Sequence, residues 1–202
     1  MLENFNFDNS EMWDCCSEIH KKTLLCPNIF GHVLLENKNN ILNLNEIDDV
    51  IETGTYDARS SIFFAHLFKN VHTIELYEDI NPYSNQSFKK LYDDIKIRHP
   101  NINFYFGNSP EVLKNILLLN KNKRFLFLLD AHTANFSPLL EELRAIFEFS
   151  DIKNHVIIID DCNFLGSHGY PSKQQFLNEI KKINNLYSVV ETNHGNKIFL
   201  VH

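Results

Sequence analysis

From Ile47 onward, short runs rich in β-branched, aromatic and leucine residues alternate with amphipathic stretches, and no other feature constrains the fold as much. Strands are expected at about 47–53, 71–76, 102–106, 124–130 and 154–160. Each but the last is followed by a helical pattern, at about 59–69, 83–98, 109–119 and 137–148, and a further helix is expected at 172–184. Ser109 and Ser137 are expected as N-caps, with Pro110 and Pro138 at the first helical position. Strands that are apolar along their whole length, separated by helices, require a parallel sheet covered on both faces. Such a doubly wound α/β sheet presents its chemistry at the carboxyl ends of its strands.

The chain closes differently. Tyr187–Asn193 and Lys197–His202 read as two strands around His194-Gly195-Asn196, a C-terminal antiparallel hairpin after five parallel strands. Ahead of Ile47, residues 1–46 are polar and Asn-rich. Met12, Trp13, Cys16, Ile19 and Leu24 recur at near-helical spacing before Pro27, so this part is expected to be an N-terminal helical extension to a single domain spanning 47–202.

Composition narrows the partners. The 19 basic and 26 acidic residues give a net charge of −7 with no basic cluster, which disfavours nucleic acid and favours a small-molecule substrate. The start is acidic and polar where a signal peptide would be basic and then apolar, so none is expected, and no run approaches the ~18 apolar residues of a membrane span. Cys15, Cys16, Cys26 and Cys162 lack CxxC spacing; reduced thiols and a cytoplasmic location are the simplest expectation, and a homodimer is compatible with it. A half-buried amphipathic helix accounts for Cys15, Cys16, His20 and Cys26 without zinc.

Four segments carry candidate chemistry. In VIETGTYDARSS, Val50–Ser61, an apolar strand ends in Glu52 and Gly54 before a helix. A glycine there lets the backbone approach a ligand, and Thr55 continues the turn. Glu75 ends the next strand, 21 residues after Gly54, the spacing of a ribose-binding acid, and Leu76 beside it can pack on a base. Asn108 and Ser109 follow the third strand. Asp130 and His132 follow the fourth, and Asp160 and Asp161 end the fifth. Three carboxylates and an imidazole at adjacent strand ends repel one another unless a cation or proton compensates.

Taken in order, these segments and the closing hairpin resemble class I S-adenosylmethionine-dependent methyltransferases, a Rossmann-like fold. The Asp130/Asp160/Asp161 pattern is similar to metal-dependent O-methyltransferases of the catechol and macrolide-sugar type. The resemblance implies S-adenosylmethionine held by Glu52, Gly54, Thr55, Glu75, Leu76, Asn108, Ser109 and Asp130. It further implies Mg2+ (or Mn2+) on Asp130, Asp160 and Asp161, and catalysis by His132 and Asp130 on a small polar hydroxyl compound such as a sugar or sugar nucleotide. The chain departs from the family where later glycines of the first motif are replaced by Tyr56 and Ala58. That departure leaves open a non-catalytic cofactor-binding or interaction module. A dinucleotide enzyme is disfavoured, because GxGxxG is missing. The loop Gly166–Pro171, with His168, is expected to be a mobile lid.

Overall fold

The computed structural model describes residues 46, 47, 49–77, 87–185, 187–191 and, for the backbone, 198–201. The expected helix before Pro27 lies outside them, as do the first residues of the expected 83–98 helix and the turn His194–Asn196.

Seven strands form one sheet: β1 (Asp49–Thr53), β2 (Asn70–Glu75), β3 (Ile102–Phe106), β4 (Phe125–Leu129), β5 (Val156–Ile159), β6 (Ser188–Glu191) and β7 (Ile198–Val201). Five helices connect or cover them: α1 (Arg59–Leu67), α2 (Phe88–Arg98), α3 (Ser109–Leu119), α4 (Leu139–Phe149) and α5 (Lys173–Ile183). The strand order is β3-β2-β1-β4-β5-β7-β6, with β1 to β5 parallel. β7 runs antiparallel to both β5 and β6, so it inserts between them and β6 becomes the edge.

Central strands β1, β4 and β5 read DVIET, FLFLL and VIII and are buried at every position, as a sheet covered twice requires. On one face Val50, Leu126, Leu128 and Ile158 pack with Ile62, Phe63 and Phe64 of α1 and Tyr92 and Ile95 of α2. On the other, Ile51, Phe127, Leu129 and Ile157 pack with Leu113 of α3, Leu143 and Ile146 of α4, and Phe176 and Ile180 of α5. No helix among the described residues is long and apolar enough to cross a membrane.

The helix starts shift slightly from expectation. The N-cap of α3 is Asn108, which moves Ser109 into the first turn, and Pro138 caps α4 where Ser137 was expected, its hydroxyl accepting instead from the Leu139 amide at 3.4 Å. Capping depends on backbone angles that hydrophobic periodicity does not encode. α5 opens with a reciprocal capping box between Ser172 and Gln175.

The register positions the site. Thr53 lies level with Ile74 on one side and Leu129 on the other, and Leu129 with Ile159. The next residues therefore form one row: the Gly54 amide donates to Ile74 O, that of Asp130 to Thr53 O, and that of Asp160 to Leu129 O. Chain order reverses between β1 and β4, and the helices that follow them depart to opposite faces. The row consequently opens into a crevice.

Candidate active site

The turn after β1 keeps a left-handed backbone without the glycines that usually supply it. Gly54 has φ 83°, Tyr56 46° and Ala58 61°. Each non-glycine residue there costs about 1–2 kcal/mol, so surrounding contacts must hold the turn. At Gly54 the reason for glycine is internal as well. A Cβ would lie 2.6 Å from the Asp130 carbonyl oxygen and 3.1 Å from the Ala131 nitrogen, so the missing side chain lets β1 and β4 close together.

Glu52 lies behind this turn. It is fully buried and accepts hydrogen bonds from Ser60, Ser61 and, at 2.7 Å, Thr73. Burial pushes its carboxyl up to about 7 against the pull of those three hydroxyls. The sequence expectation for Glu52 is contact with a cationic amino end through ordered water; in the structure its partners are three hydroxyls, of which that of Ser60 is half-buried. The sequence signal for Ser60 was the serine pair after the turn. The buried Thr55 hydroxyl is likewise engaged, with Thr73 at 2.7 Å.

At the end of β2, Glu75 meets the turn: its carboxylate accepts from the Tyr56 amide at 2.9 Å and the Leu76 amide at 2.8 Å. Tyr56, Leu76 and Tyr77 leave 41%, 46% and 45% of their surfaces exposed, an apolar rim beside a fixed carboxylate. Across β3, Asn108 is exposed and its side chain makes no capping bond. Ser109 is buried and donates to Glu142 of α4. Glu142 is itself buried, and burial lifts it to about 7 against hydrogen bonds from Ser109 and Thr53. Periodicity alone places Glu142 on a helix and says nothing of this role.

On the other side, Asp130, His132 and Asp161 each present a ligand-type atom, all within 4.8 Å of one another. His132 Nε2 lies 3.3 Å from Asp161 Oδ2, and both side chains are about a third exposed. The hydrogen bond that His132 donates to the Asp161 carboxylate raises the imidazole pKa, against the opposing effect of burial. Asp161 adopts φ 55°, which turns it out of line with Asp160. Asp160 is buried, with Oδ1 accepting from the Asp161 amide at 2.7 Å, and it is not part of the close group. Of the expected Asp130/Asp160/Asp161 set, Asp130 and Asp161 come together, with His132 as the third member of the close group.

Tyr170, unremarkable in the sequence, closes this side. It is buried, its ring centroid is 5.8 Å from that of His132, and burial together with the charges of Asp130, Asp161 and Asp160 pushes its phenol far upward. The segment expected to be a mobile lid is a series of local hydrogen-bonded turns. The amides of Leu165, Ser167 and Tyr170 donate to Cys162 O, Phe164 O and Ser167 O, and that of Gly166 to Pro171 O. Gly169, at φ 78°, rests directly on the Asn135–Phe136 backbone, leaving no space for a Cβ.

This topology, with its reversed seventh strand and its crevice at the β1/β4 switch, is the class I methyltransferase fold. Solved structures agree. A TDP-rhamnose 3'-O-methyltransferase of calicheamicin biosynthesis superposes with a TM-score of 0.56 at 12% identity, over 99% of this chain and 89% of the other. A candidate methyltransferase from Streptococcus mutans in complex with SAH gives 0.55 at 16% identity, over 84% and 96%. A candidate caffeoyl-CoA O-methyltransferase from Staphylococcus aureus gives 0.52 at 16% identity, over 92% and 96%. No family model matches the chain, and no curated protein matches it.

Proposed function

We propose that the chain is an S-adenosylmethionine-dependent methyltransferase acting on a hydroxyl oxygen of a small polar compound such as a sugar or sugar nucleotide. One observation carries the reading. Glu75, locked to the Tyr56 amide, faces the same crevice as the Asp130–His132–Asp161 group, so a ribose-binding acid and a polar acceptor site lie on opposite sides of one switch point.

When bound, S-adenosylmethionine supplies an electrophilic methyl group on a sulfonium. The acceptor oxygen attacks that carbon in line, the carbon–sulfur bond breaks, and the hydroxyl proton must leave. Glu75 would hold the ribose hydroxyls, Leu76 would pack on the base and Asn108 would meet its amino group, while Ser60, backed by Glu52, and Asp130 would meet the amino acid end. On the acceptor side the proton leaves toward the basic atoms of Asp130, His132 and Asp161. The donor set fits a divalent cation. Two carboxylate oxygens and one imidazole nitrogen within 4.8 Å of one another are the residues that would hold it. Such an ion, where bound, supplies Lewis acidity that lowers the acceptor's pKa.

Calorimetric titration with S-adenosylmethionine, S-adenosylhomocysteine and NAD is the test. Micromolar binding of the first two with none of NAD is expected, followed by methyl transfer to sugars or sugar nucleotides. Binding of NAD alone, or of none, rejects the reading; cofactor binding with no transfer to any hydroxyl compound favours a binding module.

A further inference from the structure

We propose that Tyr92 is a positioning residue for the cofactor: from α2 its hydroxyl pins the turn after β1 and, through the Tyr56 backbone, keeps Glu75 aimed at the ribose. The ligand in this proposal rests on the S-adenosylmethionine reading above, whereas the pinned turn is measurable without any ligand.

The turn needs a clamp. Its backbone takes angles that glycine adopts freely, yet Tyr56 at φ 46° and Ala58 at φ 61° are not glycine, and such residues relax unless contacts hold them. Tyr56 is held on both of its backbone polar groups by side chains of two other elements. Its carbonyl accepts from the Tyr92 hydroxyl at 2.8 Å, across 36 residues of sequence, and its amide donates to Glu75 Oε2 at 2.9 Å. The second Glu75 oxygen takes the Leu76 amide at 2.8 Å, so the direction of the carboxylate depends on where Tyr56 sits. One hydroxyl on α2 therefore reaches the ribose-binding acid through a single residue.

Tyr92 is built for this contact. It is 2% exposed, and its ring is stacked 4.5 Å from that of Phe104, 5.6 Å from Phe88 and 5.9 Å from Phe106, which fixes where the hydroxyl points. Burial and the charges of Glu75 and Glu52 push the phenol far upward against a hydrogen bond from Thr55, so it remains a donor. Phenylalanine would fill the same stack; only the oxygen reaches the turn. Where later glycines of the motif are replaced by Tyr56 and Ala58, this hydroxyl supplies by contact what glycine supplies by conformational freedom.

Tyr92→Phe removes one oxygen and keeps the ring stack. Calorimetric titration of the full-length protein with S-adenosylhomocysteine should show affinity lowered about five- to twentyfold. Because the effect runs through Glu75, the same substitution should change affinity less than threefold in a Glu75→Ala background, a coupling that a general loss of packing does not produce. Hydrogen exchange supplies a readout without ligand: the Tyr56 amide should exchange at least tenfold faster in Tyr92→Phe, while amides of β4 keep their wild-type rates. Equal affinity in Tyr92→Phe and wild type overturns this proposal alone, as does full additivity with Glu75→Ala; wild-type protein that binds no S-adenosylhomocysteine overturns the cofactor reading with it. If Tyr92→Phe fails to fold, the wild type decides. A Tyr56 amide slowed at least tenfold relative to an unstructured peptide supports the clamp, and one exchanging at the unstructured rate overturns it.

Discussion

The two sides of the crevice handle their acids in opposite ways. On the β1–β2 side the two candidate ligand-binding carboxylates are tied to neutral donors: Glu52 to three hydroxyls behind the turn, Glu75 to two backbone amides at its edge. On the β4–β5 side Asp130 and Asp161 draw together with His132, and Asp160 stands close behind. Neutral donors fix a shape, which suits recognition of a ligand by its outline and hydroxyls. Concentrated negative charge needs a counter-charge, which suits chemistry with a cation or a proton. At the joint between the sides, Gly54 packs against the Asp130 carbonyl and the Asp130 amide donates to Thr53 O.

The sharpest break between them should come from Asp161→Asn. Turnover should fall ~10²–10⁴-fold while calorimetric affinity for S-adenosylhomocysteine stays within threefold of wild type. Equal loss of both would mean that the sides are not separate in function.

Gly54→Ala attacks the joint itself. A methyl group 2.6 Å from a backbone oxygen, at φ 83°, should destabilise the protein by about 3–4 kcal/mol in urea unfolding. Near-wild-type stability would show that β1 and β4 can part at little cost.

Next come the buried acids. Glu52 titrates near 7 when folded against an ordinary 4.5, so between those values the native state holds the extra proton. Its contribution is fully present below pH 4.5 and is lost as pH rises through 7, by roughly 3 kcal/mol at most. Glu142 acts in the same direction, also near 7. His155, whose burial lowers it to about 3, opposes both, because its contribution is lost as pH falls from 6.5 toward 3. The difference between wild type and Glu52→Gln isolates one group: the variant should gain stability relative to wild type from pH 5 to pH 8. A constant difference across that range would mean Glu52 keeps an ordinary pKa.

Glu75→Ala tests the recognition side alone. Loss of a charge-assisted contact should weaken S-adenosylmethionine about ten- to a hundredfold, roughly 1.5–3 kcal/mol, with Mn2+ affinity unchanged. The smallest effect is expected of Ala58→Gly. Relief of the left-handed strain at φ 61° offsets the lost buried methyl and the added chain entropy, so stability should move by no more than about 1 kcal/mol.

Much of the sheet was legible beforehand because hydrophobic runs are local: β3 lies at the expected 102–106 and α3 at the expected 109–119. The place of Glu75 at the end of the second strand was legible from the apolar run before it, and β2 does end there. The inserted position of β7 was not, because a hairpin pattern gives two paired strands and does not say which one enters the sheet. Nor was the inward commitment of Glu52, which depends on Ser60, Ser61 and Thr73 arriving from α1 and β2.

By itself, the order of residues determined the βα alternation, the acidic character of the crevice and which strand ends carry acids, all of which follow from side-chain type and spacing along one chain. Only the tertiary structure decided that His132 lies close to Asp130 and Asp161 and that the Tyr170 ring packs beside it. In that region Asp161 adopts φ 55° and Gly169 rests on the Asn135–Phe136 backbone. Such backbone angles are set by the contacts of distant segments, which adjacent residues do not record.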